Sequence, residues 1–449
     1  MFKPCSQYFF KPVSVASLAV FRVLFGLVML FEVCGYYPVA GYLYPAHHLS
    51  FSLPPFDFIK PWGEPGMQIH FIIMGLAALG IALGFYYRIS ATMFFLCVSY
   101  IFILEPVDHF YAVVLFSFLM IFIDAHHRFS WDARRTRPRL QHQVPFWQLM
   151  ILRFQVFVIY FYAGLAKINH DWLNGEPIRT WLSQVSGYPW IGPYLQQEWV
   201  VHFFAYGGLI FDLSIFFLLL SRKTLMFAVI AVITFHTLNN WLFHIAIFPL
   251  LMTTVLVLFL EPDFPSRLFS NEEGGNSSGQ EPPKQSEPSS VPQLNPQRKT
   301  VILACLGMYC LFQLLFPLRH WLYPGNASWT EEGQFFSWRV KLRQKRFAHI
   351  YFLVTDPKTG KTWKIDPKND LTERQLGRMA SIPRMVLTYA HFLRDKFKAN
   401  GITDPIVQVD VPVSLNGRPF QPLVDPAVNL SNVEYPLFTH AKWITELRQ

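Results

Sequence analysis

One lysine, at the end of an apolar helix, is the residue with the clearest chemical potential in this sequence. Residues 156–166 are apolar on every helical face, and Lys167 follows just before the polar sequence NHDW at 169–172. The amine could be a membrane anchor whose stem reaches the interface. Alternatively, desolvation at the mouth of a membrane cavity disfavours its charged form, and the neutral amine can act as a base. The groups that meet Lys167 decide between these interpretations.

Histidine and amide side chains lie at the ends of two other apolar segments of the chain. His109 begins the fourth apolar segment. Four polar residues lie near the end of the seventh apolar segment and in the turn after it: His236, Asn239, Asn240 and His244. Spacings of i, i+3, i+4 and i+8 place them near one helical stripe. Each could have only a structural role, but ionisable groups in membranes are costly, and we predict that they converge with Lys167 around one cavity.

A metal site is not predicted. The pairs His47-His48 and His126-His127 superficially resemble parts of membrane di-iron sites, but the repeated HxxHH motifs of those sites are missing. The chain has 5 cysteines, and no CxxC or Cys/His pattern indicates zinc.

Composition identifies a membrane protein. The 449 residues are 52% hydrophobic, 17% aromatic and only 15% charged, and the mean hydropathy is positive. The net charge of +9 lies largely in short runs between apolar segments, which suits anionic lipid and excludes nucleic acid as an expected partner. The first apolar run is long enough to remain a span, so no cleavable signal peptide is predicted.

About nine transmembrane helices are predicted from the apolar runs. They cover residues 14–36, 67–87, 90–104, 109–124, 145–166, 199–220, 224–243, 245–260 and 299–318. Lys and Arg are concentrated in alternate loops, as in residues 134–139. Because cytoplasmic loops are rich in these residues, the N-terminus is predicted to be cytoplasmic and the end of the chain extracytoplasmic.

The sequence divides into a polytopic all-α membrane domain and a small α+β domain. The first covers residues 1–260, and residues 261–298, rich in Ser, Pro, Gly and Glu, are predicted to be a disordered cytoplasmic linker. A last transmembrane helix at 299–319 precedes the extracytoplasmic α+β domain at 320–449. Its predicted elements are a hairpin around 356–360, a helix over 371–400 and a second hairpin around Asn416-Gly417.

Five charged residues inside the apolar runs are predicted to pair with each other nearer the other leaflet: Arg22, Glu32, Asp124, Arg153 and Asp212. Buried charges need partners, and ion pairs can fix the register of helices.

Several motifs resemble those of one family. The sequence AGLAKINHDW (163–172) is similar to the AGxKKLDADW segment of the vitamin K-dependent γ-glutamyl carboxylases. Further segments resemble that family in the same order along the chain: FRVLFG (21–26), FIDAHH (122–127), FDLS (211–214), FHTLNNWLFHIAIFP (235–249), FSW (336–338) and VSLNGRPFQ with VDP (413–426).

The resemblance implies an activity and roles for particular residues. Lys167 aligns with the catalytic base, and His109 with a histidine that assists at the substrate glutamate. His236 and Asn239 match the FHxxN element, while Phe243 and His244 fall where the quinone-contacting Phe-Ser pair lies. The implied co-substrates are reduced vitamin K (phylloquinol or menaquinol), oxygen and carbon dioxide. The implied partners are a glutamate-containing protein or peptide, the quinone and the lipid bilayer.

The sequence also departs from the animal members of that family. His244 replaces a small serine, Ala166 replaces the first of two lysines, and Asp108 replaces an amide. No cysteine follows Cys310, so the disulfide of the animal enzymes cannot form. These features favour a shortened bacterial-type homologue in an inner membrane. Alternative functions are quinol oxidation without carboxylation, and a quinone-binding transporter or sensor without enzymatic activity.

Overall fold

Long apolar helices dominate the chain before residue 260. The computed structural model describes residues 5–44, 49–135, 142–243, 245–265, 267 and 295–448. The main helices of the membrane region are α1 (Ala16–Tyr36), α2 (Gly66–Leu83), α3 (Tyr87–Leu104), α4 (Asp108–Phe122), α5 (Trp147–Lys167), α6 (Glu198–Leu220), α7 (Leu225–Phe243), α8 (Phe248–Thr254) and α9 (Pro296–Leu315). Most of the linker predicted at 261–298 lies outside the described residues.

Short helices connect these elements and recur in the C-terminal region. The α-helical ones are Cys5–Phe9, Ala40–Leu43, Trp131–Arg135, His170–Leu173, Ile178–Gln184, Gly192–Leu195 and Ala327–Thr330. The 3-10 helices are Tyr37–Val39, Ala125–His127, Val255–Leu258, Phe316–Leu322, Pro367–Asn369 and Leu430–Asn432.

Seven of the described helices are long and apolar enough to cross a membrane. The predicted spans at 109–124 and 245–260 correspond to shorter apolar helices, His109–Phe122 and Phe248–Leu258. A helix of about 15 residues reaches only about 22 Å, less than the roughly 30 Å of a hydrocarbon core. A polytopic helical membrane domain is therefore confirmed, with seven full-length spans in the described residues rather than nine.

The buried charges of the membrane region do not pair with each other as predicted. Arg22 donates to the backbone carbonyls of Ala125, Ile81, Ala82 and Phe129. A guanidinium has five N–H donors, so helix-end carbonyls can satisfy it without an acid. The other four residues also find partners elsewhere or none: Arg153 donates to the Leu258 carbonyl, Asp124 pairs with Arg88, Asp212 pairs with Lys167, and Glu32 Oε1 has no partner among the described residues.

Two antiparallel sheets form the core of the C-terminal region. One has the strand order β5 (Thr362–Ile365), β4 (Tyr351–Thr355) and β6 (Ile406–Asp410), and the other β3 (Lys345–Phe347), β7 (Pro412–Leu415) and β8 (Gln421–Pro422). A two-stranded pair, β1 (Pro12–Ser14) and β2 (Gln143–Pro145), joins distant parts of the membrane region. The α+β class predicted for this region is confirmed.

The local predictions for the C-terminal region hold with two corrections. The hairpin around 356–360 is present, because β4 pairs with β5 from Thr355↔Thr362. The helix predicted over 371–400 is interrupted, giving α10 (Glu373–Met379) and α11 (Pro383–Ala399). Proline disfavours helical geometry in the residue before it, so a new helix begins at Pro383. The second predicted hairpin is only β7 with β8, because β6 pairs with β4 instead.

Arginines dock the C-terminal region onto the membrane region at two carboxylates. Asp171 accepts hydrogen bonds from Arg418 at 2.6 and 2.8 Å and from the Asn416 amide at 2.8 Å. Glu105 accepts from Arg374 and Arg378. The turn that carries the first contact has left-handed backbone at Asn416 (φ 50°) and Gly417 (φ 80°), as in a tight hairpin. Asp171 lies four residues after Lys167, and Glu105 four residues before His109, so docking fixes both neighbourhoods.

The Arg418 contact gives a first prediction. Arg418→Ala removes a two-bond ion pair, and we expect amide exchange in residues 168–175 to accelerate about tenfold, since hydrogen bonds to charged groups contribute about 1.5–3 kcal/mol. Burial alone would raise the pKa of Asp171, but the hydrogen bonds from Arg418 and Asn416 hold it below its ordinary 3.8. In the wild type, protection of residues 168–175 from exchange should therefore be complete above pH about 4 and be lost as pH falls further. Hydrogen–deuterium exchange measures both effects.

Arg346→Ala is the matched control, because Arg346 is an exposed arginine of the same region and forms no ion pair with the described residues. Equal exchange rates in the two variants would contradict the docking role of Arg418.

Candidate functional site

Lys167 is the last residue of α5, and its amine is buried against an acid. The side-chain nitrogen lies 2.5 Å from Asp212 Oδ2 and 3.2 Å from the Ala163 carbonyl oxygen. The two residues are only 8% and 5% exposed. An amine reaching for the interface would be solvated, so this burial argues against the anchor interpretation. The ammonium also lies 5.0 Å from the centroid of the Trp172 ring.

A glycine brings the two charged residues together. A Cβ built on Gly164 would lie 2.7 Å from the Leu213 side chain and 3.1 Å from its backbone nitrogen. This close approach of α5 and α6 needs a residue without a side chain. Lys167 lies one helical turn after Gly164, and Asp212 immediately precedes Leu213. The packing of one glycine therefore sets the separation of the ion pair.

A cavity of about 410 Å³ between α5, α6 and α7 has this pair on its wall; we refer to it as the Lys167 cavity. Its polar lining includes Tyr160, His236 and Asn239. Most of its wall is apolar and aromatic, including Ile159, Phe203, Phe204, Phe211, Phe227, Ile230, Phe235, Leu238 and Phe248. A large apolar chamber with few polar groups is typical of a site for a hydrophobic small molecule.

His236 is buried in this cavity and bonded to a tyrosine. The imidazole Nε2 lies 2.8 Å from the Tyr160 hydroxyl, and His236 is 4% exposed. Tyr160 lies two turns before Lys167 on α5, so both side chains project from similar helical positions. The Phe211 and Phe235 rings stack beside them, with centroids 3.8 Å apart. The residue pair links α5 to α7 across the cavity.

The remaining predicted residues of α7 divide into two groups. Asn239 and Phe243 line the Lys167 cavity. Asn240 is exposed and is not part of this lining, because it is one residue further around the helix than Asn239. His244 lies outside the described residues, so its predicted contact with a quinone remains a prediction.

His109 lies in a second cavity, of about 380 Å³, which we refer to as the His109 cavity. Its Nε2 is buried and has no hydrogen-bond partner in the described part of the chain. The two cavities share four lining residues: Ile245, Phe248, Val340 and Lys341. Lys167 and His236 thus line one chamber, while His109 approaches from a neighbouring one across this common wall. The single cluster predicted from sequence is divided between adjacent cavities.

Two protein families account for the chain. Residues 10–264 match the HTTM domain, and residues 298–449 match the vitamin K-dependent gamma-carboxylase lumenal domain. The chain belongs to the vitamin K-dependent gamma-carboxylase family. No solved structure matches it significantly.

The carboxylase-family site contains two groups that the sequence did not predict. Asp212 was expected in a separate ion-pair network, but it is the partner of Lys167. An acid and an amine inside apolar segments indicate an ion pair. Which acid pairs with Lys167 depends on the packing of α5 on α6. Tyr160 carries no such signal in the sequence, because a tyrosine in an apolar helix is common and its bond to His236 depends on the placement of α7.

One group of possible metal ligands lies elsewhere in this carboxylase-family chain. Ligand atoms of Asp124, His126 and His127 lie within 4.8 Å of one another. Asp124 already pairs with Arg88 at 2.5 Å and accepts from Gln148 at 2.7 Å. A guanidinium beside the carboxylate opposes a divalent cation electrostatically. The prediction that no metal takes part stays a prediction.

The buried pair gives a second prediction. Lys167→Met and Asp212→Asn should each destabilise the protein by about 3–5 kcal/mol, because each leaves an uncompensated or unpaired polar group in an apolar wall. The double variant should recover much of that loss, because it removes both charges. Thermal unfolding of the purified protein in detergent measures these differences.

Lys398→Met serves as a control, because Lys398 pairs with Asp404 at the surface, where the side chains are 47% and 79% exposed, and such pairs contribute little. Additive losses in the double variant would mean that Lys167 and Asp212 are not coupled.

Proposed function

We propose that this protein couples γ-carboxylation of glutamyl residues to oxygenation of reduced vitamin K to its epoxide. The observation that carries the proposal is the buried Lys167–Asp212 pair at the wall of an apolar cavity, in a chain of this family. Overall, reduced vitamin K, oxygen, carbon dioxide and a glutamyl residue give the epoxide, water and γ-carboxyglutamate, so atoms and electrons balance.

The weak acidity of carbon sets the chemical problem. The γ-hydrogen of glutamate is far too weakly acidic for any side-chain base at neutral pH. In this family, a base first takes a proton from reduced vitamin K, and reaction with oxygen then generates a much stronger alkoxide base. Oxygenation thereby provides the driving force for removing the γ-hydrogen, and the resulting carbanion adds carbon dioxide.

Lys167 and Asp212 would start this sequence as a pair. Burial of two charges is costly, so in an apolar wall the pair of neutral amine and carboxylic acid competes with the ion pair. Asp212 accepts the proton that leaves the Lys167 ammonium, and the free amine takes a proton from the quinol hydroxyl. The 2.5 Å separation supports direct transfer between them.

His236, Tyr160 and Asn239 would hold an oxygen of the quinol ring. All three line the Lys167 cavity, and the bond between Tyr160 and His236 fixes the orientation of the imidazole. Hydrogen-bond donors fixed in advance stabilise developing negative charge on an oxygen. Phe243 would contact the ring as a neighbouring aromatic side chain.

The apolar wall supports a long-tailed substrate that arrives through the lipid. Phe203, Phe227 and Ile230 line the cavity yet are 66%, 68% and 58% exposed. They lie on α6 and α7, so the cavity opens between these helices toward the bilayer. The isoprenoid tail of phylloquinol or menaquinol would lie in this opening, and the apolar surroundings would keep water from quenching the strong base and the carbanion.

His109 would act on the glutamate side. Its Nε2 is buried and unpartnered in the described chain, so it can hydrogen-bond a carboxylate of a substrate in the His109 cavity. The substrate would be a protein or peptide on the side of the C-terminal region, which we propose is extracytoplasmic, with the N-terminus in the cytoplasm. The loop charges support this orientation, and the lack of a cysteine in the C-terminal region supports a bacterial inner membrane.

Replacement of Lys167 gives the central prediction. Lys167→Ala should lower epoxide formation from reduced vitamin K or menaquinol at least about 100-fold, the usual contribution of a positioned base. Epoxide is quantified by chromatography with purified protein in lipid nanodiscs. The surface variant Lys398→Ala should retain activity. Unchanged epoxide formation in the folded Lys167→Ala protein would remove Lys167 from the mechanism.

Filling the cavity gives a further prediction. Gly207 lines the Lys167 cavity, and a Cβ added there would meet no atom within 4 Å. Gly207→Leu should therefore fold but occupy substrate space, and raise the KM for menaquinol about tenfold or more. Gly307→Leu is the matched control, since Gly307 on α9 also has open space but does not line the cavity. Similar KM values for the two variants would exclude this cavity as the quinol site.

A second candidate function keeps the quinol chemistry without carboxylation. The observation that favours it is the wall between the two cavities. Carboxylation requires the strong base formed in the Lys167 cavity to reach a glutamate in the His109 cavity. Incorporation of labelled bicarbonate into a short glutamyl peptide separates the two functions. A transporter or sensor would instead consume no oxygen with reduced quinone.

A further inference from the structure

The common wall of the two cavities contains a lysine whose charge is not neutralised. Lys341 lines both the Lys167 cavity and the His109 cavity, and it is exposed. No carboxylate of the described residues lies within 4 Å of its ammonium nitrogen. Its ammonium nitrogen lies over the Trp181 ring, 5.7 Å from the ring centroid.

The other strong cations of these cavities are already paired. Arg343 donates to Glu331 at 2.6 and 2.7 Å, and Arg378 donates to Glu105 at 2.7 Å. Lys167 is paired with Asp212. Glu331 and Glu105 are each shared with a second cation, Lys345 and Arg374. Lys341 is the lysine or arginine of these two linings that has no carboxylate partner among the described residues.

The backbone that presents Lys341 is held in an uncommon conformation. Phe336, Trp338 and Lys341 have left-handed φ values of 63°, 55° and 52°, each costing about 1–3 kcal/mol. Packing at Trp338 stabilises this conformation, since Trp338 is 1% exposed and its ring centroid lies 4.8 Å from that of Tyr111. Strained backbone that packing preserves is concentrated at functional sites.

Hydrogen bonds hold the same segment in place. Gln334 donates to the Arg339 carbonyl at 3.0 Å and accepts from the Arg339 side chain at 3.1 Å. The Ser337 hydroxyl donates to the Gln334 carbonyl at 2.6 Å. These hydrogen bonds fix the backbone of residues 334–339, and Lys341 follows this segment at the common wall.

We propose that Lys341 binds the carboxylate of an acidic side chain of a peptide substrate in the His109 cavity. The ammonium supplies a charge-assisted hydrogen bond, and the unpartnered Nε2 of His109 supplies a second polar contact in the same cavity. The carboxylate is then held at the wall that adjoins the Lys167 cavity. This inference rests on the proposed function for the identity of the substrate.

The test compares Lys341→Met with Lys341→Arg. Both replacements are unbranched, so they impose the same left-handed strain, but only arginine keeps the charge. The probes are a glutamate-containing pentapeptide and its glutamine analogue. Direct binding is measured by calorimetry on the full chain in nanodiscs, and KM and kcat are measured from labelled bicarbonate incorporation.

We expect Lys341→Met to weaken binding of the glutamate peptide about tenfold or more, the effect of losing one hydrogen bond to a charged group. KM for the peptide should rise by a similar factor, with a much smaller change in kcat. Lys341→Arg should restore affinity to within about threefold of the wild type. The glutamine peptide should bind weakly to all variants.

Lys361→Met is the control, because Lys361 also lies against a tryptophan ring, at 4.9 Å from the Trp363 centroid, but outside both cavities. It should bind the peptide as the wild type does. Equal affinity of wild type and Lys341→Met, or equal binding of the two peptides by the wild type, would overturn the inference. Absence of epoxide and carboxylated product with intact peptide binding would overturn the proposed function alone.

Discussion

The buried pair of Lys167 and Asp212 is the constraint around which the membrane region is arranged. Two charges in an apolar wall are tolerated only when their geometry is favourable, and that geometry comes from the contact of Gly164 with Leu213. The same contact orients the faces of α5 and α6 that border the Lys167 cavity. A chemical requirement and a packing requirement therefore coincide in one helix pair.

The C-terminal region completes the site as well as covering it. Its segment at 340–341 forms part of the wall common to both cavities, and its arginines hold Asp171 and Glu105 near the two candidate catalytic residues. The membrane region alone would thus lack one wall of each chamber. Residues from both matched families therefore line the two cavities, and docking adds to the stability of the small C-terminal region.

Periodicity and composition predicted the membrane helices, the α+β class of the C-terminal region and the hairpin at 356–360, because these features depend on local pattern. Helix length was less predictable, since α4 and α8 are apolar but short. The partners of buried charges could not be predicted, because Arg22 is satisfied by carbonyls from distant loops. Likewise, motifs assigned His109 and Lys167 to one site, whereas the wall at Phe248 and Lys341 arises only from tertiary packing.

The Lys167 cavity opens between α6 and α7, so the relevant concentration of a ligand is its concentration within the bilayer. A molecule that enters sideways from the bilayer is sampled at its mole fraction among lipids, and its bulk molarity has little influence. Adding detergent or inert lipid dilutes such a molecule in two dimensions even when the total amount is constant. Lipid composition and the density of a membrane-dissolved ligand therefore set how often such a cavity is occupied.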